Sequence, residues 1–501
     1  MTNAVASIAP IYVGYIWYFR SVPGEGVITA VTHTSLGEAL ELINLSGWAI
    51  LVPVAWIICY LVLVFRMPTL QKKIVPRFKK VLCGLVVVYL SALVFSFKFA
   101  SSNMDAPSAV LEGQSSSTLY LHTLLDERML RDSFPLGLFL ALADNSSQFK
   151  ATTSNNFKFE AFKKHPIAEK EIYVLIIGET SRYQNWSVNG YSRPTSPKLD
   201  RLYRNGELIS FADVAAAANA TEKAGRMLVT RATPSTFSQI EKEGTVADAF
   251  REAGYKTGWI SNQKFMYPAS VDFSNFDWDM TRYDESMLPI IDRMLKQSGD
   301  KIFLIIHTKG SHADYDQRYP GRFKFFSPTL ADLGRPMYCI SCGGRTAMSS
   351  AVRGAMLNSY DNTIVATDDF IYRVIDLVDR RQAVSSVFYI SDHGENLYDD
   401  DRRMFMHVTP HPSKVEIHVP AFLWTSEAYK ARYAQKQRAL LAHSQSKLSQ
   451  DIVFHTLLDI ADIGLPTENL SKSVASIKFV EPLHRYVLTP AWEVLPYESL
   501  R

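Results

Sequence analysis

Two uninterrupted apolar runs near the amino terminus limit what this chain can fold into. Gly47–Phe65 is 19 residues without a charge, and Val81–Ala100 is 20 residues with one lysine near its end. Each is long enough, as a helix, to cross a bilayer core. A third uncharged stretch, residues 4–19, is shorter; no small-residue cleavage site follows it cleanly, so it reads as an anchor. Arg66–Lys80 carries six basic residues and no acid, whereas residues 20–46 carry one arginine against Glu25, Glu38 and Glu41. The positive-inside rule puts the basic loop in the cytoplasm and everything after residue 100 outside. The expected organisation is membrane helices over 1–100 (about 4–19, 47–65 and 81–100), a bridging or interfacial segment over 101–167, and an outer globular domain over 168–501.

At 501 residues the chain has room for such a domain with a full core, and a net charge of +3 implies no nucleic-acid partner. Of four cysteines, Cys59 and Cys83 lie in apolar runs and read as packing residues. Cys339 and Cys342 form a lone C-I-S-C, which reads as a local disulfide in an oxidising compartment.

In the outer domain, strand-like runs recur at Ile172–Ile177, Gly258–Ile260, Ile302–Ile306, Val387–Ile390 and Val419–Trp424, with helical candidates between them at Val246–Ala253, Met287–Lys296 and Asn358–Val378. This alternation predicts an α/β fold with a mainly parallel central sheet flanked by helices. In open α/β sheets, ligands collect where strands end. Here the run ending at Ile390 leads into Asp392, His393, Gly394 and Glu395, with His407, His411 and His418 beyond. The run ending at Ile177 leads into Gly178-Glu179-Thr180-Ser181-Arg182, and the run ending at Ile306 into His307-Thr308-Lys309-Gly310-Ser311-His312. Six of the twelve histidines fall between 307 and 418, so the set reads as metal ligands and phosphate contacts. Imidazole and carboxylate without a usable thiolate favour zinc or manganese. Thr221 follows a run of small residues and opens a helix-like stretch. There it is either a helix-start residue or a nucleophile facing the helix dipole, with Thr180 and Ser181 as rivals.

Taken together, Val174–Arg182 with Asn189–Pro197, His307–Pro320, Asn358–Ile371, S-D-H-G-E and His418–Ser426 resemble the membrane phosphoethanolamine transferases of the alkaline phosphatase and sulfatase superfamily. The resemblance runs through most of residues 170–480. It implies an alkaline-phosphatase-like domain in the periplasm, carried by a multi-pass protein of the bacterial inner membrane. It also implies that Glu179, Asp392, His393 and Thr221 bind zinc, with Thr221 the nucleophile that becomes phosphorylated. His312 and His407 would bind a second metal or the phosphate, supported by His307 and Glu395. Asn262 would lie near the headgroup, and Glu38, in a membrane-proximal helix, would face its ammonium. The donor would be phosphatidylethanolamine and the acceptor a glycan or lipopolysaccharide.

The chain also departs from the pattern. The family usually has five spans, and its lipid A enzymes place the nucleophilic threonine between two cysteines that are absent here. Core sugar, periplasmic glucan and surface protein therefore stand beside lipid A as acceptors. No cysteine or serine lies in the C/S-x-P-x-R pattern a sulfatase needs. The remaining rivals are a phosphodiesterase, a glycerol-phosphate transferase and an inactive membrane-anchored scaffold.

Overall fold

The apolar runs of the outer domain are the strands of one sheet. The computed structural model describes residues 157–501 apart from 264–282, 298, 335–348, 410 and 491. The three expected spans, Glu38, the bridging segment up to residue 156, and Cys339 and Cys342 lie outside the described residues. Among the described residues, no helix is long and apolar enough to cross a membrane.

Seven strands form the sheet: β1 (Glu171–Gly178), β2 (Leu208–Ala215), β3 (Lys256–Ser261), β4 (Lys301–His307), β5 (Val384–Ser391), β6 (His418–Thr425) and β7 (Lys447–Ser449). Their order is β7-β2-β6-β5-β1-β4-β3. Central strands β1 and β5 are buried along their whole length, as parallel strands covered on both faces must be. Their side chains alternate between two cores. Tyr173, Leu175 and Ile177 point to one face, and Ile172, Val174 and Ile176 to the other.

Helices fill both sides: α1 (Pro197–Arg204), α2 (Thr221–Leu228), α3 (Val246–Glu252), α4 (Leu288–Gln297), α5 (Ser350–Asp379) and α6 (Ile452–Ile460). Phe250 of α3 and Phe454 and Leu457 of α6 pack on the first face. Leu199 of α1, Ile291 and Leu295 of α4, and Ile364 and Ile371 of α5 pack on the second. Met227 of α2 belongs to a smaller cluster with Phe237 and Leu488.

The sheet is mixed rather than wholly parallel. The pairings β1–β4, β1–β5, β3–β4 and β2–β7 are parallel, but β6 runs antiparallel to both β5 and β2. A parallel return needs a crossover to the far edge of the sheet. After β5 the chain makes no such crossover. It turns through the D-H-G-E loop, a short pairing of Asn396–Leu397 with Phe405–Met406 and a one-turn helix at Lys414–Ile417, then enters β6. That excursion keeps residues 392–417 at the carboxyl edge of β1, β4 and β5.

The expected strands are all present, each extended by one to three residues at its ends. Strands β2 and β7 lie outside the expected runs. Ser210 and Asp213 interrupt the apolar pattern of β2, which then merges into an alanine run, and β7 has three residues. Helix α5 begins earlier than residue 358, because Ser349 caps it by accepting from the Val352 amide at 3.3 Å.

Candidate metal and phosphoryl-transfer site

Parallel neighbours bring their carboxyl ends to one place. Ile177 pairs with His307, Gly178 with Ser391, and Ser261 with His307. The residues just beyond these ends are Glu179, Asp392, His393, Asn262 and Gln263. Strand β2 runs in the same direction and delivers, through Ala216–Ala220, the start of α2.

Thr221 is the first residue of α2, and Ala220 before it supplies no side-chain cap. The Lys223 amide turns back to the Ala220 carbonyl at 3.1 Å, and the amides of Thr221 and Glu222 lead the helix without a side-chain cap. Thr221 Oγ1 lies 3.1 Å and 3.3 Å from the two Glu179 carboxylate oxygens and 3.1 Å from His393 Nε2. The rival hydroxyls are placed differently. Thr180 Oγ1 donates to Glu179 Oε1 at 2.6 Å from a left-handed backbone (φ +56°), and Ser181 Oγ accepts from Trp186 Nε1 at 2.9 Å.

His393 is oriented by its own turn. Its Nδ1 is 2.8 Å from the Gly394 carbonyl, which can only accept, so Nδ1 carries the proton and Nε2 offers its lone pair. Gly394 is required at this turn, since a Cβ there would stand 2.2 Å from the Val415 carbonyl oxygen. Asp392 Oδ1 accepts from the amides of Thr180 at 3.0 Å and His393 at 2.7 Å. Its other oxygen, Oδ2, is buried with no hydrogen-bond partner and lies 3.4 Å from His393 Nε2.

These atoms fit a divalent cation. A buried carboxylate oxygen without a donor is costly unless a cation or proton meets it. Here it faces the His393 imidazole, whose Nε2 is in turn 3.1 Å from the Thr221 hydroxyl beside the Glu179 carboxylate. Ligand atoms of Glu179, His393 and His407 also lie within 4.8 Å of one another. The donor set is oxygen and nitrogen, suited to zinc or manganese rather than to a soft-metal site.

The remaining predicted histidines divide. His307 ends β4, fully buried, 4.0 Å from Glu179 Oε2. His312 donates Nδ1–H to the Ala313 carbonyl at 2.8 Å, and its ring centroid is 6.2 Å from that of His407. His407 Nδ1 faces the buried Glu395 carboxylate at 3.3 Å and 3.4 Å, and its ring is 4.3 Å from that of His393. His411 is exposed. His418 bonds the Ala212 carbonyl at 3.0 Å and stacks on Tyr183.

Burial pushes His307 down to about 4, against the pull of Glu179, and His407 down to about 3, helped by His393. His312 is lowered for the same reason, chiefly burial. Burial would also lower His393, but the Asp392 and Glu179 carboxylates outweigh it and raise this imidazole. Burial raises Glu395 well above the usual carboxylate range.

Asn262 donates from Nδ2 to Asp284 at 2.8 Å, and Asp284 in turn accepts from the Lys309 and Gly310 amides at 2.8 Å and 2.9 Å. The residue that reaches the carboxylate is the next one: Gln263 Nε2 is 2.7 Å from Glu179 Oε2. Two other polar residues brace the site without a signature in the sequence. Gln450 donates to the Ser391 and Asp392 carbonyls, both at 2.7 Å, and accepts from the Ala217 amide at 2.7 Å. Asn219 bonds the Thr409 carbonyl at 2.9 Å and Glu416 at 3.0 Å, tying the loop before Thr221 to the loop that carries His407. Amides of this kind follow no spacing rule; only three-dimensional contact reveals them.

Comparison with known proteins bears on the family and the fold. The Sulfatase family model matches residues 171–463. Phosphoethanolamine transferase EptA of Escherichia coli (strain K12) is 29% identical over 321 residues, covering 59% of this chain and 54% of that protein. The chain spans about half the length of the first curated relatives it matches. The integral membrane protein lipooligosaccharide phosphoethanolamine transferase A of Neisseria meningitidis superposes with a TM-score of 0.71 at 21% identity, covering 95% of this chain and 86% of that one. The periplasmic domain of Escherichia coli EptC, solved in complex with zinc, superposes with a TM-score of 0.57 at 23% identity, covering 68% of this chain and 96% of that one. The resemblance read from the motifs is therefore found again in both sequence and fold. With its carboxylates and imidazoles at the carboxyl edge of the sheet and the family model spanning β1 to α6, this chain belongs to the Sulfatase family.

Proposed function

We propose that the chain is a zinc-dependent phosphoethanolamine transferase of the bacterial inner membrane, multi-pass over residues 1–100, with residues 168–501 in the periplasm and 101–167 bridging the two. Its donor is phosphatidylethanolamine, and its acceptor is a hydroxyl or phosphate on a periplasmic or outer-leaflet glycan or lipopolysaccharide. The observation that carries this reading is Thr221 Oγ1, 3.1 Å from both a Glu179 oxygen and His393 Nε2 at an uncapped helix start. The relatives named above are phosphoethanolamine transferases, which supports the group transferred.

Glu179, Asp392, His393 and Thr221 would hold zinc, with manganese the alternative. When bound, the ion lowers the pKa of the hydroxyl and neutralises charge on the phosphoryl oxygens. In the first half-reaction the Thr221 oxygen bonds to phosphorus, the bond from phosphorus to the glycerol oxygen breaks, and diacylglycerol leaves with a proton. In the second, an acceptor oxygen bonds to phosphorus and the Thr221 oxygen departs, restoring the hydroxyl. The leading amides of α2 meet the anionic phosphoryl group. His312 and His407, held neutral by burial, contact its oxygens or a second metal, and Glu395 orients His407. His307 supports Glu179. Asn262 and Glu38 face the headgroup.

The test uses detergent-purified full chain, zinc and headgroup-labelled phosphatidylethanolamine. Diacylglycerol release that needs metal and that phosphatidylglycerol does not inhibit is expected. Release from phosphatidylglycerol alone would make it a glycerol-phosphate transferase, and steady release of free phosphoethanolamine without acceptor would make it a phosphodiesterase. No release despite bound zinc would leave the scaffold.

A further inference from the structure

Gln263 has no part in the chemistry above, yet its side chain reaches the Glu179 carboxylate directly. It follows β3, on the far side of β4 from the strand that presents Glu179. Its Nε2 lies 2.7 Å from Glu179 Oε2, 2.7 Å from the Thr308 carbonyl and 3.3 Å from His307 Nε2. A carboxylate and a carbonyl can only accept, so these contacts fix which end of the amide faces inward. Glu179 itself is completely buried. Its two oxygens have separate duties. Oε1 takes the Thr180 hydroxyl at 2.6 Å and lies nearer to Thr221, whereas Oε2 takes Gln263.

We infer that Gln263 is a positioning residue for the Glu179 metal ligand: its amide pins Oε2 to the β4 edge so that Oε1 stays turned toward Thr221 and His393. The inference rests on the metal reading of this site. The physical reason is rotational. A buried carboxylate held at one oxygen can swing about its last torsion, which has a broad, roughly two-fold profile. Held at both, it presents one fixed edge. A neutral donor is suited to the task, because a lysine in its place would compensate the negative charge that attracts the cation. The same amide spans three strands' loops, from β3 to the Thr308 carbonyl after β4 to Glu179 after β1. It therefore also sets the distance between the His307 end and the ligand. Partners that orient a ligand in this way typically change metal affinity by ~10–100-fold when removed.

The test is zinc affinity of the full chain in detergent, measured by competition with a chromophoric chelator, together with the melting temperature of the metal-free protein. Gln263→Met keeps length and volume and removes the donor; Gln263→Leu is a second form of the same loss. The expected result is zinc binding weakened by at least ~10-fold in both, with the metal-free melting temperature little changed. Zinc affinity within about threefold of wild type in a folded variant would overturn the inference, since the ligand would then be positioned without the amide. A fall in metal-free melting temperature at unchanged affinity would overturn it too, by making Gln263 a packing residue. Failure of the wild-type chain itself to bind zinc would remove the metal reading and this inference with it, which separates the two failures.

Discussion

The hydroxyl of Thr221 has three polar neighbours within 3.3 Å, and all three belong to Glu179 and His393. From sequence alone the same threonine was equally a helix-start residue. Three-dimensional contact distinguishes it from Thr180 and Ser181, which face Glu179 alone and Trp186. The D-H-G-E set was legible because metal-ligand residue types follow a short apolar run directly. Gln263 was not, because an amide two positions past a strand carries no such signature, and its meaning comes from Glu179 lying 84 residues away.

A pH prediction belongs at the same scale. Burial holds His307 at about 4, below its ordinary 6.5. Between those values the unfolded chain binds the extra proton, so His307 stabilises the fold above pH 6.5, and this contribution is lost as pH falls toward 4. At ~1.36 kcal/mol per unit the drop of 2.5 units corresponds to about 3 kcal/mol. In chelator-treated protein, the fall in melting temperature from pH 7 to pH 5 should be smaller in His307→Gln than in wild type. An equal fall in both would show that burial does not hold His307 below its ordinary 6.5 in the folded chain.

Among elements, the turn after β5 does the most to shape the site. Its glycine lets the chain pass against the one-turn helix at Lys414–Ile417, where the Gly394 amide donates to the Glu416 carbonyl at 2.6 Å. Gly394→Ala should destabilise the protein by roughly 1–3 kcal/mol, because the opposing atom is backbone and cannot swing aside. It should also weaken zinc binding through displacement of Asp392 and His393. Urea unfolding and zinc titration would check both; a variant with wild-type values would mean that the turn relaxes freely. The antiparallel course of β6 was unreadable from its own residues, since Val419–Trp424 is as apolar as its parallel neighbours. Its direction follows from the connection, which returns at the same edge.

Across the whole molecule, the site is assembled from segments far apart in sequence, and a few buried polar clamps hold them in register. Gln450 joins the end of β5 to the loop before Thr221 by three hydrogen bonds. Gln450→Leu leaves those backbone groups buried and unpaired, at ~1–3 kcal/mol each less any relaxation. A lower melting temperature and slower turnover are expected together; unchanged stability would show that water replaces the side chain. Removal of metal should act on the same scale. A ligand bound to the folded state at 100 times its Kd adds about 2.7 kcal/mol, so chelation should lower the melting temperature and zinc should restore it. The layered α/β architecture was legible at this scale because apolar runs and helical stretches alternate, while β2 and β7 were hidden by polar interruptions and shortness.

The central claim is that Thr221 carries the transferred group. The most direct measurement is the intact mass of the purified chain after incubation with zinc and phosphatidylethanolamine without acceptor, in wild type and in Thr221→Ala. The account predicts a phosphoethanolamine adduct on the wild type, mapped to the peptide containing Thr221 and absent from the variant, which still binds zinc. An adduct of the same yield in Thr221→Ala would contradict it and move the nucleophile to another residue.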